Sequence, residues 1–318
     1  MYAAVLHSLG ECPRYESFPE PTLGDGDVLV QVRAAALKQV DKQMAQGSHY
    51  ASPRQLPVIC GSDGVGVLPD GQRVYFGARP PYGTMAQHTV VKQAFCFPIP
   101  DGLDDAAAAA LPNPGVSAWL TLAHRANLKP GESVLILGAT GVTGRLAVKI
   151  AKLLGAGKVV AAGRNPRVLG ELLHQGADAT IRLDTSDDAL RDGFVRAAGA
   201  SGYQVVIDYV WGHPVEVFLS AITRKEFAEV DSEIRLVQVG ENAGPTISLP
   251  AAVLRSTAIS IMGTAGIPPR EVLLNAIQRV LDHGAKGDLH VDTESMPLAE
   301  IETAWRRNEP GKRIVIIP

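Results

Sequence analysis

Cysteine is scarce in this chain. Three thiols in 318 residues, Cys12, Cys60 and Cys96, are too few and too scattered for a disulfide framework. No close Cys/His spacing offers a tetrahedral metal site, so no metal is expected and the cysteines read as buried thiols. Net charge is only −3 and no long Lys/Arg cluster occurs, which argues against the electrostatic footprint of a nucleic-acid binder. Long apolar runs are missing too. The longest uncharged one, Ala106–Ala123, is interrupted by Pro112, Asn113, Pro114 and Gly115 and does not suit a membrane-spanning helix. The opening residues have neither a basic start nor a long apolar stretch, so no secretory signal is read there and a cytoplasmic location is expected.

What is present is a composition ordinary for a globular protein, 46% hydrophobic and 20% charged, at a length that exceeds one typical core. Two domains are expected. Up to about residue 100, short apolar runs (Ala3–Leu6, Asp27–Ala35, Gly64–Leu68, Arg73–Phe76, Met85–Val91) alternate with Gly, Pro and Asp, predicting a small β-rich module. Asp104 is placed to cap a helix over Asp105–Leu111, and Pro112-Asn113-Pro114-Gly115 is expected to break it before a second helix through Ala126. From Ser133 the pattern changes to βαβ units. Strands are predicted at Ser133–Leu137, Lys158–Ala162, Ala179–Leu183, Gln204–Asp208, Arg235–Val239 and Ala258–Met262, a number that suits a doubly wound parallel sheet. The last segment, with a short helix at Leu298–Arg307 and a strand at Arg313–Ile316, is expected to return to the first module. The boundaries drawn are 1–114, 115–263 and 264–318.

The most informative stretch is Val134 to Gly144, an apolar strand running into Gly138-Ala139-Thr140-Gly141-Val142-Thr143-Gly144 and then a helix over Arg145–Leu154. Such a turn lets the backbone bend sharply and approach a pyrophosphate, which the helix N-terminus attracts. Gly144 would let helix and strand pack closely. At the end of the next strand, where an NAD site has a carboxylate for the ribose hydroxyl, the chain reads Gly163-Arg164-Asn165-Pro166-Arg167. A 2′-phosphate would find Arg164, with Arg167 one turn later. NADPH is therefore the expected cofactor. Asn165 followed by Pro166 is also a helix-start signal whatever binds.

Gly138-Ala139-Thr140-Gly141 is similar to the opening of atypical short-chain dehydrogenases, but here a β-rich module precedes it and no Tyr-x-x-x-Lys occurs. The order of modules resembles the medium-chain dehydrogenase/reductase family over nearly the whole chain. Leu56-Pro57-Val58-Ile59-Cys60-Gly61-Ser62-Asp63-Gly64-Val65-Gly66-Val67 looks like the family's Pro-x-x-x-Gly-x-Asp-x-x-Gly-x-Val segment, one residue shorter after Asp63. Gly83-Thr84-Met85-Ala86-Gln87, Leu128-Lys129-Pro130-Gly131-Glu132 and Gly311-Lys312-Arg313-Ile314-Val315 are similar to further signatures. The resemblance implies an α/β chain with a GroES-like β-rich catalytic domain and a Rossmann NADP-binding domain. Its zinc-dependent alcohol dehydrogenases have Gly-His-Glu where this chain has Gly61-Ser62-Asp63, and cysteine where it has Lys38. The resemblance therefore points to the zinc-free quinone oxidoreductase and alkenal reductase branch.

That branch implies hydride transfer from NADPH to a small-molecule quinone or α,β-unsaturated carbonyl. Gln46-Gly47-Ser48-His49-Tyr50 resembles its Gly-x-Tyr stretch with one residue inserted, which makes Tyr50 the candidate carbonyl donor. Lys38 stands where the branch has Asn. Its ammonium is a candidate to steady a developing enolate, or alternatively a structural partner of Asp41 or Asp63. His49 is more simply read as polar surface. Ser117 and Val239-Gly240 match cofactor-wall positions, and Asp208 is expected to tie down its loop. A homodimer is implied, paired around Thr257–Met262. The alternatives are a non-catalytic NADPH-binding protein of crystallin-like or regulatory type, and an alcohol dehydrogenase-like enzyme.

Overall fold

The structure is a computed structural model, and it describes residues 1–223, 233–264, 266, 268–307 and 311–318. The chain divides into two compact units, Met1–Asn113 with Ile277–Pro318, and Pro114–Ala276. Where the sequence reading places the return at 264, the change of unit falls at Ile277, inside a helix.

In the first unit the strands are β1 (Tyr2–Leu6), β2 (Arg14–Ser17), β3 (Asp27–Ala36), β4 (Val58–Ile59), β5 (Asp63–Val67), β6 (Arg73–Gly77), β7 (His88–Lys92) and β8 (Cys96–Pro98). Helix α1 (Gln39–Gln46) leaves the end of β3, and α2 (Asp105–Ala110) follows β8. Strands β1, β2 and β4 form a small sheet, while β3, β5, β6 and β8 belong to a larger one in which β7 also pairs with β3. The close approach of β5 to β3 depends on Gly66, where an added Cβ would lie 2.3 Å from Val30 Cγ1. Asp104 accepts from Ala107 N at 2.8 Å, the cap expected of it.

The linker corrects one expectation. Pro112 and Pro114 do not form a loop between two helices; they open the next one, α3 (Pro112–Trp119). A first helical turn needs no N–H from proline, so the pair fits there at no cost in hydrogen bonds. The helix then widens into a π-helical turn over Leu120–Arg125, where Thr121 Oγ1 donates to Ser117 O at 2.7 Å.

The second unit contains β9 (Ser133–Leu137), α4 (Val142–Leu153), β10 (Lys158–Gly163), α5 (Pro166–Leu173), β11 (Ala179–Arg182), α6 (Asp187–Ala198), β12 (Val205–Asp208), α7 (His213–Ile222), β13 (Ile234–Gln238), α8 (Ala251–Ser256) and β14 (Ile259–Gly263). Its six strands are all parallel in the order β11-β10-β9-β12-β13-β14, the doubly wound arrangement, with the reversal of order between β9 and β12. Every residue of β9 is buried, because helices cover both faces of the sheet centre. One face packs Leu135, Leu137, Val160 and Val206 against Phe194, Phe218 and Leu219.

Helix α9 (Arg270–Ala285) leads back into the first unit, which ends with β15 (Asp292–Pro297), α10 (Ile301–Arg306) and β16 (Lys312–Ile317). Strand β16 joins β3 antiparallel, so the returning strand completes the first sheet. No helix among the described residues is long and apolar enough to cross a membrane.

Candidate functional site

The glycine turn lies at the C-terminal end of β9, where α/β sheets bind their ligands. Gly138 has φ +85, a conformation costly for any residue with a Cβ, and its N–H and that of Ala139 both donate to Ala162 O, at 2.9 and 2.8 Å. The turn is thereby tied to the end of β10. Gly144 answers to packing: a Cβ there would lie 2.3 Å from Gly138 O and 2.6 Å from Ala139 Cα. Gly141 differs, since a Cβ on it would meet only Gly138 O, at 3.5 Å, and otherwise points into open space. It precedes α4 without a side-chain cap, and the N–H groups of Val142, Thr143 and Gly144 have no acceptor within the helix. An uncapped, dipole-positive helix end behind an open glycine fits a pyrophosphate.

At the end of β10, a Cβ on Gly163 would lie 2.4 Å from Thr140 Cγ2. Glycine is required there because the phosphate turn crosses in front of it. Arg164 is exposed and makes no hydrogen bond among the described residues. Asn165 caps α5 by accepting from Arg167 N at 3.1 Å and Val168 N at 3.3 Å, and Arg167 Nε donates to Glu171 Oε1 at 3.0 Å. Val239 and Gly240 follow β13 on the same edge of the sheet, and both N–H groups donate to Asp208 O. The structure thus gathers Gly138–Thr143, Gly163–Arg167 and Val239–Gly240 at one end of one sheet. Ser117 lies in α3.

Asp208 is wholly buried and holds the loop after β12, accepting from Val210 N at 2.9 Å and Trp211 N at 3.0 Å. Burial pushes its carboxyl from 3.8 up to about 6, against the pull of the two N–H donors. The neutral form is favoured by folding, so this group's contribution to stability is full below pH 4 and falls as pH rises toward 6, by roughly 3 kcal/mol in all. Asp208→Asn, whose amide oxygen still accepts from the loop, is expected to remove that fall. Urea midpoints of parent and variant at pH 4 and pH 7 check this, and parallel pH dependences would refute it.

The first unit carries a buried charge network. Lys38 is 1% exposed, and its ammonium donates to Ala36 O at 3.0 Å and Asp63 Oδ1 at 2.9 Å, with Asp41 Oδ2 at 3.2 Å. Asp41 also accepts from Lys38 N, Ser62 N and Ser62 Oγ, at 2.9, 3.1 and 2.8 Å. The Tyr75 hydroxyl reaches Asp63, and Arg313 on β16, half-buried, is a second cation close enough to interact with both carboxylates. Burial opposes the Lys38 charge, but Asp41 and Asp63 outweigh it and hold the ammonium above its ordinary pKa. The ammonium considered as a substrate contact is therefore enclosed, and the structural pairing with Asp41 and Asp63 is what the geometry gives. Tyr50 takes no part in the network; it is 97% exposed, with its ring 4.0 Å from that of His49. Sequence reasoning missed Tyr75 and Arg313, which reach the cluster from β6 and β16 and carry no local signal. Among the described residues no group of three or more His, Cys, Asp or Glu could hold a metal ion.

The alcohol dehydrogenase GroES-like domain model matches residues 24–101. The chain is 29% identical over 258 residues to quinone oxidoreductase-like protein 2 of Rattus norvegicus, covering 78% of this chain and 70% of that one. It is 31% identical over 241 residues to 1,2-dihydrovomilenine reductase of Rauvolfia serpentina, covering 75% and 60%. The quinone oxidoreductase of Thermus thermophilus, also solved as its complex with NADPH, matches with a TM-score of 0.80 and 28% identity over 100% of both chains. With this sheet order and this turn, the chain resembles the quinone oxidoreductases of the medium-chain dehydrogenase/reductase family, a likeness these comparisons support.

Proposed function

We propose that this protein is a zinc-free, NADPH-dependent oxidoreductase acting on a quinone or an α,β-unsaturated carbonyl. The observation that carries the reading is the Gly163-Arg164 corner, a glycine in place of the carboxylate of an NAD site followed by an exposed guanidinium with no protein partner among the described residues. Bound NADPH supplies the hydride. The chain's part is to hold and orient it. The α4 N-terminus takes the pyrophosphate and Gly141 leaves room for it; Arg164 takes the 2′-phosphate, with Arg167 shared with Glu171. Val239, Gly240 and Ser117 are the proposed walls toward the nicotinamide.

Positions 38 and 62, where zinc-dependent relatives have ligands, are a protonated amine paired with Asp63 and a serine bonded to Asp41, a donor set unsuited to a divalent cation. Lys38 acts as a positioning residue, joining the start of α1 to β5, with its N–H donors spent inside the protein. Tyr50, with an exposed hydroxyl, remains the proposed donor to a substrate carbonyl. The partner proposed is a second copy, pairing across β14, the outer strand of the parallel sheet; a monomer at micromolar concentration in light scattering would remove that part.

The test is a titration with NADPH and with NADH, followed by reduced-nicotinamide fluorescence and repeated on Arg164→Ala, then steady-state NADPH oxidation with quinones and enones. A preference for NADPH that Arg164→Ala erases, together with turnover, is expected. Equal binding of the two nucleotides would overturn the cofactor assignment. NADPH binding without turnover of any quinone or enone would favour the non-catalytic reading.

A further inference from the structure

Strand β11 ends at Arg182, beside the corner that selects the cofactor. The parallel register sets Arg182 opposite Gly163, and Leu183 N donates to Gly163 O at 2.9 Å. Residues paired in a parallel ladder put their side chains on the same face of the sheet. For Gly163 that face is the one carrying the phosphate turn, since its added Cβ would strike Thr140. Arg182 therefore emerges on the turn's side, one strand spacing, about 4.8 Å, beyond Gly163.

Its guanidinium is already oriented. Nε donates to Asp184 Oδ1 at 3.1 Å and Nη2 to Asp184 Oδ2 at 2.7 Å, which occupies one edge of the fork. Nη1 has no protein acceptor among the described residues, so the end-on edge, Nη1 with the second Nη2 hydrogen, is available in the geometry that suits a phosphate. The same carboxylate ties this group to the corner: the Asp184 carboxyl is held below its usual range by the Arg182 bond and, more weakly, by the charge of Arg164. The two carboxylates here, Glu171 and Asp184, are already met by Arg167 with Arg145 and by Arg182, and Arg164 adds a further guanidinium, so the excess is positive.

We propose that Arg182 is a further ligand of the cofactor's 2′-phosphate, meeting it together with Arg164 from two neighbouring strand ends. The proposal rests on the NADPH reading above. The exposed carboxylate pair fixes the plane of the guanidinium in advance, so less side-chain freedom is lost when the phosphate arrives.

The experiment is the same fluorescence titration on the full chain, with the parent, Arg182→Ala, Arg182→Lys, Arg164→Ala and the double alanine variant. Arg182→Ala is expected to weaken NADPH about tenfold, the size of one charge-assisted hydrogen-bonding partner, while moving NADH less than about twofold. Arg182→Lys, which keeps the charge and loses the fork, should fall between, and circular dichroism melting reports whether either variant has lost its fold. An unchanged NADPH affinity in folded Arg182→Ala, while the parent prefers NADPH and Arg164→Ala does not, would overturn the Arg182 assignment alone. Equal loss for NADPH and NADH would overturn it as well, showing a structural role. A parent with no NADPH preference would overturn both this assignment and the reading on which it rests.

Discussion

Replacing Lys38 with alanine will destabilise the first unit by about 3–5 kcal/mol, the cost of leaving a buried charge without its partner. The ammonium is the common counter-ion of two enclosed carboxylates, with Asp41 also bonded to Ser62 and Asp63 also reached by Tyr75. Neither acid can turn to water, because both side chains are almost entirely enclosed. Chemical denaturation followed by circular dichroism measures the loss. The double change Lys38→Met with Asp63→Leu, which removes the ammonium together with one of its two carboxylates, is expected to recover only part of it, since Asp41 is still left without its cation. A Lys38→Ala protein as stable as its parent would show that the network carries no net stability.

A second large effect is expected in the other unit from a single methyl group. Gly144→Ala should leave the parallel sheet folded yet weaken NADPH binding by at least about a hundredfold. The added Cβ would overlap Gly138 O and Ala139 Cα, both backbone atoms, so neither a rotamer change nor a small side-chain shift relieves it. Only the helix or the turn can move. Either displacement spoils the alignment of the α4 N–H groups with the pyrophosphate, and misplacement of about 1 Å is enough to cost two orders of magnitude in oriented sites. Fluorescence titration with NADPH, alongside a melting curve, separates the two effects. Tight binding by a folded Gly144→Ala protein would place the pyrophosphate elsewhere.

Much of the second unit is legible in the sequence. Ser133–Leu137 has the bounds expected of it, and Lys158–Ala162 and Ala179–Leu183 fall within a residue of theirs. These are apolar runs buried on both faces between polar helical stretches, and such runs announce themselves locally. Asn165 and Asp104 cap where expected for the same local reason. Pro112 and Pro114 mislead because proline is punctuation only inside a helix; in a first turn it is a favoured residue. The Lys38 network is half legible. Pairing with Asp41 or Asp63 follows from proximity in the chain and from the resemblance, whereas its enclosure depends on β6 and β16, whose residues lie far away in sequence. Arg182 is invisible for a similar reason, since strand register is a tertiary fact.

The packing of Thr140 against Gly163 has a consequence for how this protein's nucleotide preference can change over time. A carboxylate at position 163 is the obvious first move toward NADH, but its Cβ would sit 2.4 Å from Thr140 Cγ2 and 3.1 Å from Thr140 Cβ, and a β-branched residue has little freedom to swing aside. The substitution that would create the new preference is blocked until position 140 has become smaller. The two mutations are therefore epistatic with a fixed order, and the NADPH-type corner is kept by a steric ratchet as well as by its arginines.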